Sequence, residues 1–291
     1  LPEQQDSISA KGYSLGYIGS VILLLVNLAM VMKSELFGFE NALEAMKFSF
    51  ILVGIWWIGF AQVSYRRLPS FRNDKKITSE VFFSGFIELK KIFVEIKNYP
   101  VLKGYLGAFF VYSMAVQTVM IIAAYFGEKE VQWENDDQRQ MGLIVSILLI
   151  QLIAVLGAFL TSKLSSKIGN LKALIVINTA WVFICICAYF VAKPFEFYAV
   201  AAMVGLVMGG IQSLSRSTYS KLLPETTDTT SFFSFYDVTE KIGIVIGMVI
   251  YGVIAQITGK MQNSILFLVV FFIIGIYLLF KTHKKNIIQK C

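Results

Sequence analysis

Eight stretches of this chain are long and apolar enough to cross a lipid bilayer, and no other feature limits its fold so strongly. They run over roughly 14–32, 46–65, 101–126, 141–163, 172–192, 195–215, 235–257 and 263–280. A helix through hydrocarbon needs about 20 mostly apolar residues. Aliphatic side chains surround most of these stretches without strict alternation, which fits helices and not a barrel. Composition agrees: 56% of residues are hydrophobic and 15% charged, against about a quarter charged in soluble domains. The expected fold is therefore an all-α integral membrane protein of eight transmembrane helices, with the lipid bilayer as its first partner.

Lys and Arg in the connections orient the spans. The segment RRLPSFRNDKK through ELKKIFVEIK carries eight of them, the tail KTHKKNIIQK four, and SKLSSKIGNLK carries Lys163, Lys167 and Lys172 with no acid. EKEVQWENDDQR is predominantly acidic, and the joints at Lys193 and Lys260 have one base each. Alternate connections are basic, so both ends and the long middle loop are expected in the cytoplasm, with the protein in the cell's inner membrane. Cytoplasmic anchoring accounts for the net charge of +7, and no nucleic-acid partner is needed.

Site chemistry is sparse. Cys185, Cys187 and Cys291 form no disulfide or metal pattern, the one histidine, His283, stands among tail lysines, and no phosphate-binding G-x-x-x-x-G-K-[ST] loop occurs. No cofactor, metal or catalytic residue is expected. The competing function classes are a carrier, a membrane-embedded transferase, and a non-transporting scaffold or receptor. A transferase would need a His, Asp or metal constellation near the interface, and only the surroundings of Asp237 could hide one.

An internal echo supplies more. ISAKGYSLGYIGS places Gly12, Gly16 and Gly19 after Lys11, while VTEKIGIVIGMVIYG places Gly243 and Gly247 after Lys241. Glycines about four apart share a helix face and admit a neighbouring backbone, and Gly205 and Gly209 repeat the spacing. The two echoing spans stand six apart, and the basic loop separates two spans from the last six. Two parallel six-helix repeats would produce that layout.

SISAKGYSLGYIGS, YSMAVQTVMIIAAYFG, GGIQSLSRSTYSKLLP and SFFSFYDVTEKIGIVIG together resemble the major facilitator superfamily, in the branch related to the vacuolar amino-acid effluxers of autophagy. The resemblance covers about residues 7–280. It implies that the eight spans are helices five to twelve of a twelve-helix fold, and that the chain, which begins LPEQQ without Met, lacks the first four. It implies division into residues 1–65, the remainder of an N-terminal half; 66–98, a central loop with an amphipathic helix; 99–281, a C-terminal six-helix half; and 282–291, a basic tail. It further implies alternating access, a cavity between the halves, and a small polar solute such as an amino acid, with or without a coupled ion. Oligomeric state is not readable. The family's loop between the second and third helices of a half has an acid where LSSKIGNLK has Ser166, so the charge that would latch neighbouring helices is missing from that loop.

Polar side chains inside lipid are costly and mark candidate sites. Tyr112, Ser113, Gln117 and Thr118 cluster on one span, with Gln212 on another; the resemblance puts the first span beside the cavity, and interhelical hydrogen bonding is the competing reading. Gln151, Asn178 and Trp181 read as packing. Near the cytoplasmic face, Arg216 ends one span and Asp237, Glu240 and Lys241 begin the next. Asp237 and Lys241 have the spacing of a helical ion pair, and the Arg216 fork suits a carboxylate. Two readings stay open for this set: surface anchors, or a cytoplasmic gate closed in one access state. SEVFFSGFIELKKIFVEIK has the periodicity of a surface helix joining the halves.

Overall fold

A computed structural model describes residues 4–68, 79–226 and 228–290; much of the loop sequence RRLPSFRNDKK, residues 69–78, lies outside them. Among the described residues there are nine α-helices: α1 (Gln5–Met32), α2 (Ala42–Arg67), α3 (Ser79–Glu95), α4 (Pro100–Glu130), α5 (Asp136–Ile168), α6 (Asn170–Tyr189), α7 (Pro194–Leu222), α8 (Thr229–Thr258) and α9 (Met261–Lys290). All but α3 are long and apolar enough to span a membrane. The chain divides into two compact units, Leu1–Tyr17 with Ser84–Cys291, and Ile18–Phe83.

In the smaller unit, a short 3-10 turn (Ser34–Phe37) ends on Gly38 at φ 79, a left-handed conformation that suits glycine. The Asn41 side chain then caps α2 by accepting the Glu44 amide at 3.0 Å. Phe50, Trp57 and Phe60 of α2 are exposed, which carries no aqueous penalty for a helix facing lipid.

In the larger unit, α4 is the axis. Its buried face runs from Val101 to Phe126 and packs against α8 and α9. Aromatic rings fill the interior: Phe109 stacks on Tyr236 at 4.1 Å and Trp181 on Phe272 at 5.6 Å. The closest helix pair is α5 with α7. A Cβ at Gly157 would fall on the Leu206 carbonyl oxygen, and one at Gly209 on that of Ala154. Small residues thus let the two backbones meet, the usual basis of helix association in lipid.

The eight spans are longer than their apolar cores. α7 continues to Leu222 and α8 begins at Thr229, so Arg216 does not end its helix; it sits more than a turn before the end. The hydroxyls of the polar stretch are satisfied within the helix, on carbonyls one turn earlier: Ser213 donates to Gly209 at 2.8 Å and Thr218 to Leu214 at 2.6 Å. Hydropathy marks only the part of a helix that lies in hydrocarbon. Between α5 and α6 a single residue, Gly169 at φ 85, makes the turn. The amphipathic helix α3 is present, and its last turns set Ile92 into the core and Phe93 6.3 Å from Phe235.

The glycines divide in two. Gly205, Gly209 and Gly247 are pressed by neighbouring helices, and Gly243 is in ordinary contact with α4. A Cβ at Gly12, Gly16 or Gly19 would meet nothing within 4 Å, so no helix among the described residues approaches through them. The echo of spacing between α1 and α8 therefore does not carry equal packing.

Candidate functional site

Two polar clusters occupy the larger unit, both built between the first turns of α1 and the six helices α4–α9. The first is a recess where α4, α7 and α8 converge on Tyr13. Tyr112, Ser113, Gln117, Gln212 and Glu240 line it, with Tyr236 and Phe109 as aromatic walls. Gln117 Nε2 donates to Glu240 Oε1 at 2.7 Å. Tyr17 donates its hydroxyl to Gln212 Oε1 at 2.6 Å, while Gln212 Nε2 reaches Met120 Sδ at 3.4 Å. Tyr112 and Ser215 share a hydroxyl bond of 2.7 Å, and Tyr105 donates to the Ser215 carbonyl at 2.7 Å. The free volume is about 20 Å3, room for about one water. In this arrangement the recess is largely filled by its own side chains.

Two candidates from the sequence are placed differently. Thr118 is fully buried and donates to Met114 O at 2.7 Å; it stands against Gly247 of α8 and does not line the recess. Its hydroxyl proton is satisfied on its own helix. Ser113 lines the recess, yet its hydroxyl turns back to Phe110 O at 3.3 Å.

The charged set lies at the recess and its rim. Gln212 and Arg216 are four apart on α7 and share a face, which puts Arg216 one turn beyond a lining residue. The Arg216 guanidinium lies 5.3 Å from the Phe233 ring and 3.8 Å from Asp237 Oδ1, with both charged side chains nearly half exposed (46% and 49%). Lys241 approaches Glu240 at 3.6 Å. Asp237 thus faces across to α7, and Lys241 is not its ion-pair partner. A long, hydrated pair of this kind contributes ~0–1 kcal/mol, too little to lock anything alone. Both its members also sit on α7 and α8, within the same six-helix group.

The second cluster centres on Asp6, a residue that the hydropathy pattern leaves outside the first span. It is 7% exposed. Lys221 Nζ of α7 is 2.7 Å from Oδ2, Ser165 of α5 donates to the same oxygen at 2.9 Å, and Asn170 Nδ2 of α6 donates to Oδ1 at 2.8 Å. Asn170 also accepts from Lys221 at 3.1 Å, and Ser9, one turn on, donates to the Ser213 carbonyl at 2.7 Å. One carboxylate of α1 therefore joins α5, α6 and α7 at the Gly169 turn. The acid missing at Ser166 of LSSKIGNLK is supplied to this turn from another helix. The spacing of buried Asp6, Ala10, Ser14 and Tyr17, four, four and three apart, is the sequence signal of an inward face that runs past the apolar core.

This arrangement of helices has a known likeness. A variant of the E. coli fucose:proton symporter FucP superposes with a TM-score of 0.56 over 83% of this chain and 56% of that one, at 14% identity. The profile of the family described as "Vacuole effluxer Atg22 like" matches residues 2–290. The chain belongs to the Atg22-like family.

Its relatives fit that membership. The uncharacterized MFS-type transporter YxiO of Bacillus subtilis is 27% identical over 280 residues, covering 96% of this chain and 64% of the relative. Autophagy-related protein 22-2 of Neosartorya fischeri is 27% identical over 325 residues, covering 98% and 51%. The chain thus spans between half and two thirds of the length of these relatives. The resemblance read from the motifs is confirmed, as is a multi-pass membrane protein with a major facilitator fold, and the family is one of transporters and not of enzymes.

Proposed function

We propose that the protein to which this chain belongs moves a small polar solute across a membrane by alternating access, and that the solute is an amino acid. The observation that carries the solute class is the pairing of opposite charges at one recess: the Glu240 carboxylate, held by Gln117 at 2.7 Å, and the Arg216 guanidinium at the rim. A zwitterion offers an ammonium to the first and a carboxylate to the second, the geometry in which charge-assisted bonds are strongest. Tyr13, Tyr112 and Gln212 supply neutral donors between them. The recess has room for about one water, so it must widen before a solute enters.

The Asp6 cluster supports a gate. If α1 is the fifth helix of the fold, it belongs to the half opposite α4–α9, and Asp6 is the tie that closes the face carrying the Gly169 turn. The basic connections support a cytoplasmic position for this face. Opening there requires Asp6 to leave Lys221, Ser165 and Asn170, so the tie contributes to one access state only.

The test is counterflow by the intact protein in liposomes across a panel of amino acids, with sugars and organic acids as comparison. Exchange of at least one amino acid is expected, and Glu240→Gln should raise its half-saturation concentration at least tenfold. Exchange confined to uncharged sugars would overturn the solute class, and no exchange of any solute would overturn transport.

A further inference from the structure

A cavity of about 360 Å3 opens between the start of α4 and the end of α9, away from both clusters above. Four of its nine lining residues are lysines: Lys97 in the turn before α4, Lys103 on α4, and Lys281 and Lys285 on α9; no acid is among them. None of the four stands within 4.0 Å of a carboxylate among the described residues. Lys281 and Lys285 are four apart and share a helix face. Four positive charges around one cavity make its potential favourable to an anion; Lys97 Nζ also lies 5.3 Å from the Phe93 ring centre.

The floor of the cavity points to the kind of anion. Below the lysines the floor is small or apolar. Gly104 is pressed against Thr282, where a Cβ would stand 2.8 Å from the hydroxyl, and Leu278 and Gly107 continue the groove down the two spans. A soluble anion has no use for an apolar groove that descends along membrane-spanning helices. A lipid has, because its phosphate can rest among the lysines while its chains follow α4 and α9 into the bilayer.

We infer that the recess formed by Lys97, Lys103, Lys281 and Lys285 is a binding site for an anionic phospholipid, recognised by its phosphate. The lipid bridges the first and last helices of the six-helix group at their basic ends, where α9 and α4 are already in contact. Basic pockets between spans hold anionic headgroups in this way, each cation strengthening binding about fivefold near the surface.

The intact protein, purified in a mild neutral detergent and stripped of lipid, is titrated with fluorescent phosphatidylglycerol and with phosphatidylcholine of the same chains. Phosphatidylglycerol should bind at least tenfold tighter. The double variant Lys281→Gln with Lys285→Gln should lose about 25-fold, from two cations at about fivefold each. A control of equal charge change, Lys163→Gln with Lys284→Gln, should stay within about twofold. All the substituted lysines are exposed, so folding is checked by a shared thermal midpoint. Equal losses in both double variants would show diffuse attraction only and overturn the site. So would equal binding of the two lipids. Full displacement by millimolar inorganic phosphate would reassign the recess to a soluble anion.

Discussion

Neutralising Asp6 should release the first turns of α1. In Asp6→Asn the shape persists, but one of the two oxygens that accept from Ser165 and Asn170 becomes an NH2 donor, and the charge opposite Lys221 disappears. Asp6 is 7% exposed and Lys221 24%, with 2.7 Å between them. Removing one partner of a buried pair costs ~3–5 kcal/mol because the other charge is left uncompensated. Lys221 retains water contact and the Asn170 carbonyl at 3.1 Å, which places the cost near the lower end, at ~3 kcal/mol. At ~1.4 kcal/mol per tenfold, that weakens the tied arrangement about 150-fold relative to the released one. Ser9→Cys reports it, because Ser9 rests 2.7 Å from the buried Ser213 carbonyl. Maleimide labelling at position 9, measured above the background of the three native cysteines, should accelerate by one to two orders of magnitude in Asp6→Asn. Adding Lys221→Met should recover part of the loss, since no buried charge is then unpaired. Labelling within twofold of the parent, together with additive effects in the double variant, would refute the tie.

Further outcomes follow from packing and charge. Gly209→Ala forces a Cβ onto the Ala154 carbonyl and should cost ~1–3 kcal/mol by overpacking, read as a lowered thermal midpoint in detergent. Gly16→Ala meets open space and removes a poor helix former, so it should leave the midpoint unchanged or raise it, by up to ~1 kcal/mol. Trp181→Ala deletes a fully buried ring stacked on Phe272 and should cost ~3–5 kcal/mol, again by thermal unfolding. Arg216→Ala should change stability by no more than ~1 kcal/mol, because its Asp237 partner is 3.8 Å away and hydrated, while raising the half-saturation concentration for solute in the exchange assay.

The positions of functional residues are legible in the sequence to different degrees, for reasons visible in single cases. Gln117 and Glu240 stand out because a polar side chain near hydrocarbon is costly and therefore conspicuous, yet nothing in their spacing along the chain, more than a hundred residues apart, says that one donates to the other. Thr118 looks equivalent to Gln117 in the sequence, and only the approach of Gly247 shows that it points to a neighbouring helix. Asp6 is inconspicuous because it precedes the first apolar run, where a charge costs nothing in sequence terms; burial by α5, α6 and α7 makes it unusual. Arg216 reads as a boundary residue because hydropathy stops there, although α7 runs on to Leu222.

The sequence by itself determined that this chain is a bundle of eight membrane-spanning helices, because each stretch of about 20 apolar residues must satisfy its own backbone in lipid and can do so only as a helix. It also determined the family, through motifs that are local strings of residues. Which helix faces meet was decided only in three dimensions. Lipid is as apolar as the side chains it surrounds, so no hydrophobic gradient written along the chain tells an exposed glycine such as Gly16 from one pressed against a backbone such as Gly209. The tie at Asp6, the Gln117–Glu240 bond and the four-lysine recess join residues distant in sequence, and they exist because close helix packing brings them together.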